Sequence, residues 1–349
     1  MKYSGIGGQA VIEGIMMRNG DRYAVGVRKP DGEIEVKTDE YISFPKRHKW
    51  AGLPFIRGVF AFADSMILGL KSLTFSASFF EDDEDEGEPG KIELWLEKTF
   101  GDKLERVLMT FAMAVSFVLA LVIFLWLPLT AAGFMRRFIQ SETLVAVLEG
   151  VLRIAIFIIY IKLISRTEDI RRTFMYHGAE HKCINCVEHG LPLSVDNVAL
   201  SSKQHKRCGT SFIFIVMIIS ILFFMVIRVE NPLMKFGVRI LLIPVIAGVS
   251  YEFLSLAGRC DNPVVNILSK PGMWMQNLTT SEPERDMIEV AIAAVEAVFD
   301  WQAYEAENFP DGPDALGQAL LKSAAAGGTN ADRGGKTVCE RAESEAKVS

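Results

Sequence analysis

Residues 107–134 read VLMTFAMAVSFVLALVIFLWLPLTAAGF, and this stretch decides the fold class. It belongs to a run of 29 residues between Arg106 and Arg136 without a charged side chain, and a second such run of 20 lies between Arg207 and Arg228. About 20 apolar residues in a helix cover the hydrocarbon core of a bilayer. Each run therefore predicts a membrane span, and a freely soluble globular enzyme is excluded. The first span can tilt or kink near Pro128. Working outward, residues 144–164 form a second span, with Glu149 and Arg153 spaced i, i+4 so that they neutralise each other on one face. Residues 211–227 form a third, and 236–258 a fourth, with Arg239 near one end and Glu252 near the other. A further apolar stretch, 51–80, has only Arg57, Asp64 and Lys71 as charges, spaced by seven, so a helix gathers them into one polar stripe. That suits an interfacial or re-entrant helix better than a span. The expected fold is a mainly α polytopic membrane protein of about four transmembrane helices plus this fifth helix.

The net charge of −6 is misleading, because seven acids sit in 81–88 (EDDEDEGE) and their removal turns it into +1. No basic surface for nucleic acid is left. Positive charge decides sidedness. The 165–210 segment carries Arg166, Arg171, Arg172, Lys182, Lys203, Lys206 and Arg207, against Arg136, Arg137, Arg228 and Lys235 in the opposite connections. Basic loops stay in the cytoplasm, so both termini and the central loop are predicted there. No signal peptide is visible. The five cysteines form no disulfide-rich pattern and would stay reduced in that compartment.

The chain divides accordingly. Residues 1–50 read as a small β-rich cytoplasmic domain, with 9–18 as one strand and Pro30-Asp31-Gly32 as a turn between two more. Then follow the 51–80 helix, an acidic linker at 81–90, two spans within 91–165, a cytoplasmic loop at 166–210, two spans within 211–258, and a cytoplasmic segment at 259–310. In that segment Ser281-Glu282-Pro283-Glu284 is a capping box opening a helix to about Glu305. Residues 311–349, rich in Ala, Gly, Ser and charge, read as a disordered tail.

Chemistry concentrates in the central loop. In Tyr176-His177-Gly178-Ala179-Glu180-His181-Lys182 the two histidines are four apart, so a helix stacks both imidazoles on one face beside Glu180. This is H-x-x-E-H, in which two histidines hold a metal and the glutamate handles a proton. His205 and Cys208 follow just before the third span, so four of five histidines (His189 is the fourth) and three of five cysteines share one loop. Two ligand sets compete. His177, His181 and His205 hold a divalent ion, zinc first, with Cys208, water or Glu252 completing the sphere. Alternatively Cys183, Cys186, His205 and Cys208 form a structural knuckle. The bland readings are a polar loop whose histidines cap helices, small buried cysteines, a structural Glu149–Arg153 pair, solvated Glu13 and Arg18, and a helix-entry role for Gln276 and residues 279–283.

Gly8-Gln9-Ala10-Val11-Ile12-Glu13-Gly14 with Met16-Met17-Arg18, the H-x-x-E-H segment, His205 with Arg207-Cys208-Gly209-Thr210, and Leu278-Thr279-Thr280 with Glu282-Pro283 together resemble the YqhQ-like bacterial membrane proteins, a family of unknown function. The resemblance spans about residues 5–305. It implies a polytopic protein of the bacterial inner membrane, described for that family as metal-dependent, and supplies no reaction. The family's His-Lys-Thr is His181-Lys182-Cys183 here, which argues against Cys183 as a ligand.

Three functions follow in order. The first is a metal-dependent hydrolase at the membrane surface, with Glu180 as general base and a lipid-linked or membrane-protein substrate. The second is a non-enzymatic membrane adaptor whose loop is structural. A transporter ranks third, because four spans leave little room for alternating access.

Overall fold

The computed structural model describes residues 2–80, 104–227, 229, 231–259 and 263–325. The predicted acidic linker at 81–90 and the tail from 326 onward lie outside the described residues. Cα packing divides the chain into one unit of residues 1–80, 161–216 and 244–349 and a second of 81–160 and 217–243.

In the first unit, four strands form an antiparallel sheet in sequential order: β1 (Ile6–Val11), β2 (Gly14–Asn19), β3 (Arg22–Arg28) and β4 (Ile34–Glu40). The stretch expected to be one strand is a hairpin, with Val11 opposite Gly14 and Ile12-Glu13 as its tip. No Asn-Gly or Asp-Gly announces this turn, and Glu13 itself takes the left-handed conformation (φ 46°). Gly14-Ile15-Met16-Met17 is buried throughout rather than alternating, because both sheet faces are covered. Ile15, Met17 and Ala24 enter one core cluster, and Val11, Met16, Tyr23, Val25 and Val27 enter another. Each fully buried Val, Ile or Met among them contributes about 1.5–3 kcal/mol relative to exposure.

The short helix α1 (Phe44–Arg47) leads to α2 (Ile56–Ala77). Leu68 of α2 joins the second cluster, so the C-terminal half of α2 is the lid on that sheet face. The predicted polar stripe is real and fully paired. Arg57 forks onto Glu252, Asp64 accepts from the Tyr41 hydroxyl at 2.8 Å and the Phe44 amide at 2.9 Å, and Lys71 meets Asp39 at 2.8 Å. The opposite side of α2 exposes Phe62, Met66, Ile67, Leu70 and Leu73.

The next apolar segment is α3 (Leu104–Leu121), a π-helical turn at Val122–Trp126, and α4 (Leu127–Met135). Pro128 has no amide hydrogen to give the preceding turn, and the widened turn lies just before it. Then come α5 (Glu142–Ile164), α6 (Glu168–Glu188), α7 (Val195–Leu200), α8 (Gly209–Val226), α9 (Pro232–Arg259) and α10 (Pro263–Gln276). Among the described residues, five helices are long and apolar enough to cross a membrane: Ile56–Ala77, Thr110–Met135, Glu142–Ile164, Gly209–Val226 and Leu233–Ala257. The 51–80 segment thus meets the same length and composition standard as the four expected spans.

One expectation is filled in and two are corrected. The 166–210 loop is mostly helix, because Glu168 and Asp169 in the first turn favour an N-terminus and Gly190 (φ 73°) ends it. The C-terminal helix is α11 (Arg285–Glu296), which breaks before α12 (Trp301–Asn308), where the Asp300 side chain caps the Ala303 amide at 3.0 Å. Residues 315–325 form α13 (Ala315–Ala325), held by buried Leu320 and by the His189–Asp314 contact at 2.7 Å. The Ala-rich composition there supplies helix propensity as well as tail-like polarity.

Candidate metal centre

Helix α6 lies on the sheet, with Tyr176, Ala179, Cys183 and Val187 in the core it shares with Ile15, Met17 and α11. This packing fixes the helix rotation, so the i, i+4 pair His177 and His181 projects together, ring centroids 4.4 Å apart. His181 is buried and His177 half-buried.

Each imidazole is pinned by a backbone carbonyl. The Nδ1 of His177 lies 2.9 Å from the Thr279 carbonyl, and that of His181 lies 2.6 Å from the Lys203 carbonyl. A carbonyl only accepts, so both rings carry a hydrogen on Nδ1 and turn their Nε2 atoms inward. Metal-ligating histidines are held in this way. The Nε2 of His177 stands 3.1 Å from Cys208 Sγ, and the Nε2 of His181 is buried without any partner.

Cys208 immediately precedes α8. Its sulfur is within 3.4 Å of the Thr210 amide and 3.1 Å of the Thr210 hydroxyl. One ligand atom each from His177, His181 and Cys208 fall within 4.8 Å of one another, the one such group of three or more His, Cys, Asp or Glu found among the described residues. Burial alone pushes the Cys208 thiol up, but the adjacent His177 and His181 outweigh it and hold it well below its ordinary range. Burial conversely pulls His177 down, while the Cys208 sulfur beside it raises the imidazole to about 9 overall.

Glu180 is buried against the site, and burial raises its carboxyl despite the opposing pull of His181 and His177. It fits only because residue 8 is glycine: a Cβ there would sit 2.9 Å from Glu180 Cγ and 2.7 Å from the Met16 carbonyl.

The remaining expected ligands go elsewhere. His205 lies with its ring 5.7 Å from His181 and faces Glu188, Nε2 to Oε2 3.5 Å. Burial pulls the His205 imidazole down. Glu252 is spent on Arg57 and the Phe55 amide. Cys183 and Cys186 sit in the apolar core, where burial pushes the first well up and the second to about 12. The knuckle set is therefore not assembled. Cys208, expected as one option for a fourth ligand, is instead one of the three clustered groups.

Several residues set aside in the sequence hold the site. Gln276, fully buried, accepts from the His205 amide at 2.8 Å and donates to the His205 carbonyl at 2.6 Å and to Ser211 Oγ at 2.7 Å. It fastens the end of α10 to the segment that delivers Cys208. Glu13, expected to be solvated, receives a forked contact from Arg172 and a 3.3 Å hydrogen bond from the Tyr176 hydroxyl, tying the hairpin tip to α6. Gly178 lets the 279–281 segment approach α6, since a Cβ there would lie 2.0 Å from the Ser281 carbonyl.

Comparison with known proteins fits the motifs. Residues 53–301 match the family described as "Protein of unknown function (DUF1385)". The chain is 32% identical over 308 residues to the uncharacterized protein YqhQ of Bacillus subtilis strain 168, which covers 86% of this chain and 94% of that protein. The chain therefore belongs to the YqhQ-like DUF1385 family. No solved structure matches it.

Proposed function

We propose that the protein is a multi-pass protein of the bacterial cytoplasmic (inner) membrane, with both termini cytoplasmic, carrying a divalent-metal centre, zinc by donor chemistry, on His177, His181 and Cys208. The observation that carries this reading is the unpartnered, buried Nε2 of His181 converging with His177 Nε2 and Cys208 Sγ. Two imidazoles and a thiolate form a borderline-soft donor set of the kind zinc takes, and three protein ligands leave a fourth position open. A bound ion would supply Lewis-acid polarisation and lower the pKa of a water molecule.

Glu180 is the proton acceptor of the site, kept basic enough to take a proton by burial and close enough to feel both histidines. The reaction class is hydrolysis. Because Cys208 directly precedes the apolar helix Gly209–Val226, the site belongs at the bilayer surface, where a lipid-linked or membrane-protein substrate reaches it. Four of the five apolar helices as spans, with Ile56–Ala77 lying at the interface, keep both termini on one side of the membrane, and the basic 165–210 segment supports the cytoplasm as that side.

Elemental analysis of detergent-purified protein is expected to return about one divalent ion per chain, and none for His181→Ala or Cys208→Ala. Protein free of metal, and indifferent to added zinc, removes the reading. Glu180→Gln then separates a hydrolase from a membrane adaptor with a structural ion. In a hydrolase it keeps the ion and fold but loses turnover on lipid-linked esters and membrane peptides.

A second reading rests on one contact, the 3.1 Å His177–Cys208 pair at the start of an 18-residue helix, which is the geometry of an activated thiol. Metal-free protein whose Cys208 alkylates rapidly at neutral pH, and slowly in His177→Ala, would favour it.

A further inference from the structure

The second unit contains a cluster of charges that the proposed function does not use. Glu149 on α5 is 2% exposed, Arg153 on the same helix 4%, and Arg239 on α9 2%. Glu149 Oε1 accepts from Arg153 at 2.9 Å, and both its oxygens accept from the Arg239 fork. Arg153 also donates to Ser220 Oγ at 2.9 Å, and both guanidiniums lie near the Phe224 ring, their central carbons 5.1 and 4.3 Å from its centroid. Lys235, also buried, lies in the field of Arg136, Arg239, Glu149 and Glu142.

One buried carboxylate thus faces two buried guanidiniums, with Lys235 further toward the helix ends, and both of its oxygens are already taken. The two guanidiniums leave an excess of one positive charge among apolar helices, where unmatched charge is expensive, and Lys235 adds to it nearer the helix ends. The Nε of Arg153 is buried without a hydrogen-bond partner, which is costly for a charged donor. The cluster is graded in depth. Arg136 and Glu142 pair at the helix ends at 3.0 Å, and Glu149 lies about 10 Å further along α5 at 1.5 Å per residue.

We infer that this cluster is a binding site for a phosphate-type oxyanion, which enters from the end of the helices bearing Arg136, Glu142 and Lys235 and supplies the negative charge that Glu149 alone does not. The unpartnered Arg153 Nε supplies a charge-assisted donor to an oxyanion oxygen, and Lys235 adds a point charge. The oxyanion is either free phosphate or the headgroup of an anionic phospholipid. The site is separate from the histidine–cysteine centre, and its readout does not depend on a metal.

The test uses the full-length protein in two settings. In detergent, thermal unfolding is followed against inorganic phosphate, with chloride at matched ionic strength as control. In nanodiscs, pure phosphatidylcholine is compared with phosphatidylcholine containing phosphatidylglycerol. One arm is expected to show a saturable rise of about 3–6 °C at roughly ten times the apparent Kd. A phosphate response alone identifies a soluble anion, and a phosphatidylglycerol response alone identifies a lipid headgroup. Arg153→Gln is expected to weaken the response at least tenfold. Because Arg153 also holds Glu149, Lys235→Gln serves as the second variant, which leaves the Glu149 contacts intact and must also lose most of the response. No saturable response in either arm, or full responses in a folded Lys235→Gln, overturns the inference.

Discussion

Gly178→Ala adds one methyl group next to His177 and tests whether the site is held by the close approach of α6 to residues 279–281. A Cβ at position 178 would lie 2.0 Å from the Ser281 carbonyl oxygen, so the backbone must yield by at least about 1 Å to reach even the tightest contact seen for real Cβ atoms. The obstacle is backbone, anchored by the Ser281 amide bonding the Phe174 carbonyl at 2.9 Å, and cannot rotate away. Overpacking of this kind costs about 1–3 kcal/mol, offset in part by the roughly 1 kcal/mol that alanine gains over glycine within a helix. The displaced segment carries the Thr279 carbonyl that fixes the His177 tautomer, and loss of such a partner typically weakens metal binding 10–100-fold. Thermal unfolding should show a midpoint lower by a few degrees, and zinc titration should show affinity down by at least tenfold, with no ligand altered. A variant with wild-type midpoint and wild-type zinc affinity would refute the idea that this approach organises the site.

Glu13→Gln should cost about 1.5 kcal/mol through the lost charge-assisted contacts with Arg172 and the Tyr176 hydroxyl, leaving the left-handed backbone at residue 13 uncompensated, as chemical denaturation would register. Glu149→Leu leaves two buried guanidiniums without their carboxylate, so a loss of about 3–5 kcal/mol, seen as failure to survive detergent purification or a large fall in midpoint, is expected. Burial pushes Glu188 up, but His205, Arg207 and the Ser4 amide outweigh it and hold the carboxyl at about 2 against an ordinary 4.5. Its contribution, on the order of 3 kcal/mol, is therefore complete above about pH 4.5 and lost as pH falls toward 2. Stability measured across that window should drop in wild type and stay flatter in Glu188→Gln.

The apolar helices and the H-x-x-E-H pair were legible in the sequence because both depend on spacing. Uncharged runs measure helix length, and four residues return a side chain to the same face. Cys208 stood out by scarcity and by its place before an apolar helix. What orients the ligands was not legible: the carbonyls of Thr279 and Lys203 belong to the backbone, which every residue type supplies, and only the fold brings them to the rings. Glu13 was misplaced because its turn has none of the residues that favour positive φ, so alternation ran straight through it. His205 looked equivalent to the other histidines, since nothing local records that Gln276 and Glu188 claim it from two sides. The break before Trp301 and the helix at 315–325 were hidden by composition, with alanine serving both a tail and a packed helix.

Cobalt substitution reports on the three clustered ligands together. Full-length protein, stripped with chelator and loaded with cobalt(II), should show an intense thiolate-to-cobalt charge-transfer band and the strong visible bands of a tetrahedral ion at one equivalent. The charge-transfer band should vanish in Cys208→Ser, and binding should fall in His177→Ala and His181→Ala. Wild-type protein that takes up no cobalt, or binds it with a spectrum lacking any thiolate band and unchanged by these substitutions, would contradict the assignment of His177, His181 and Cys208 as one metal centre.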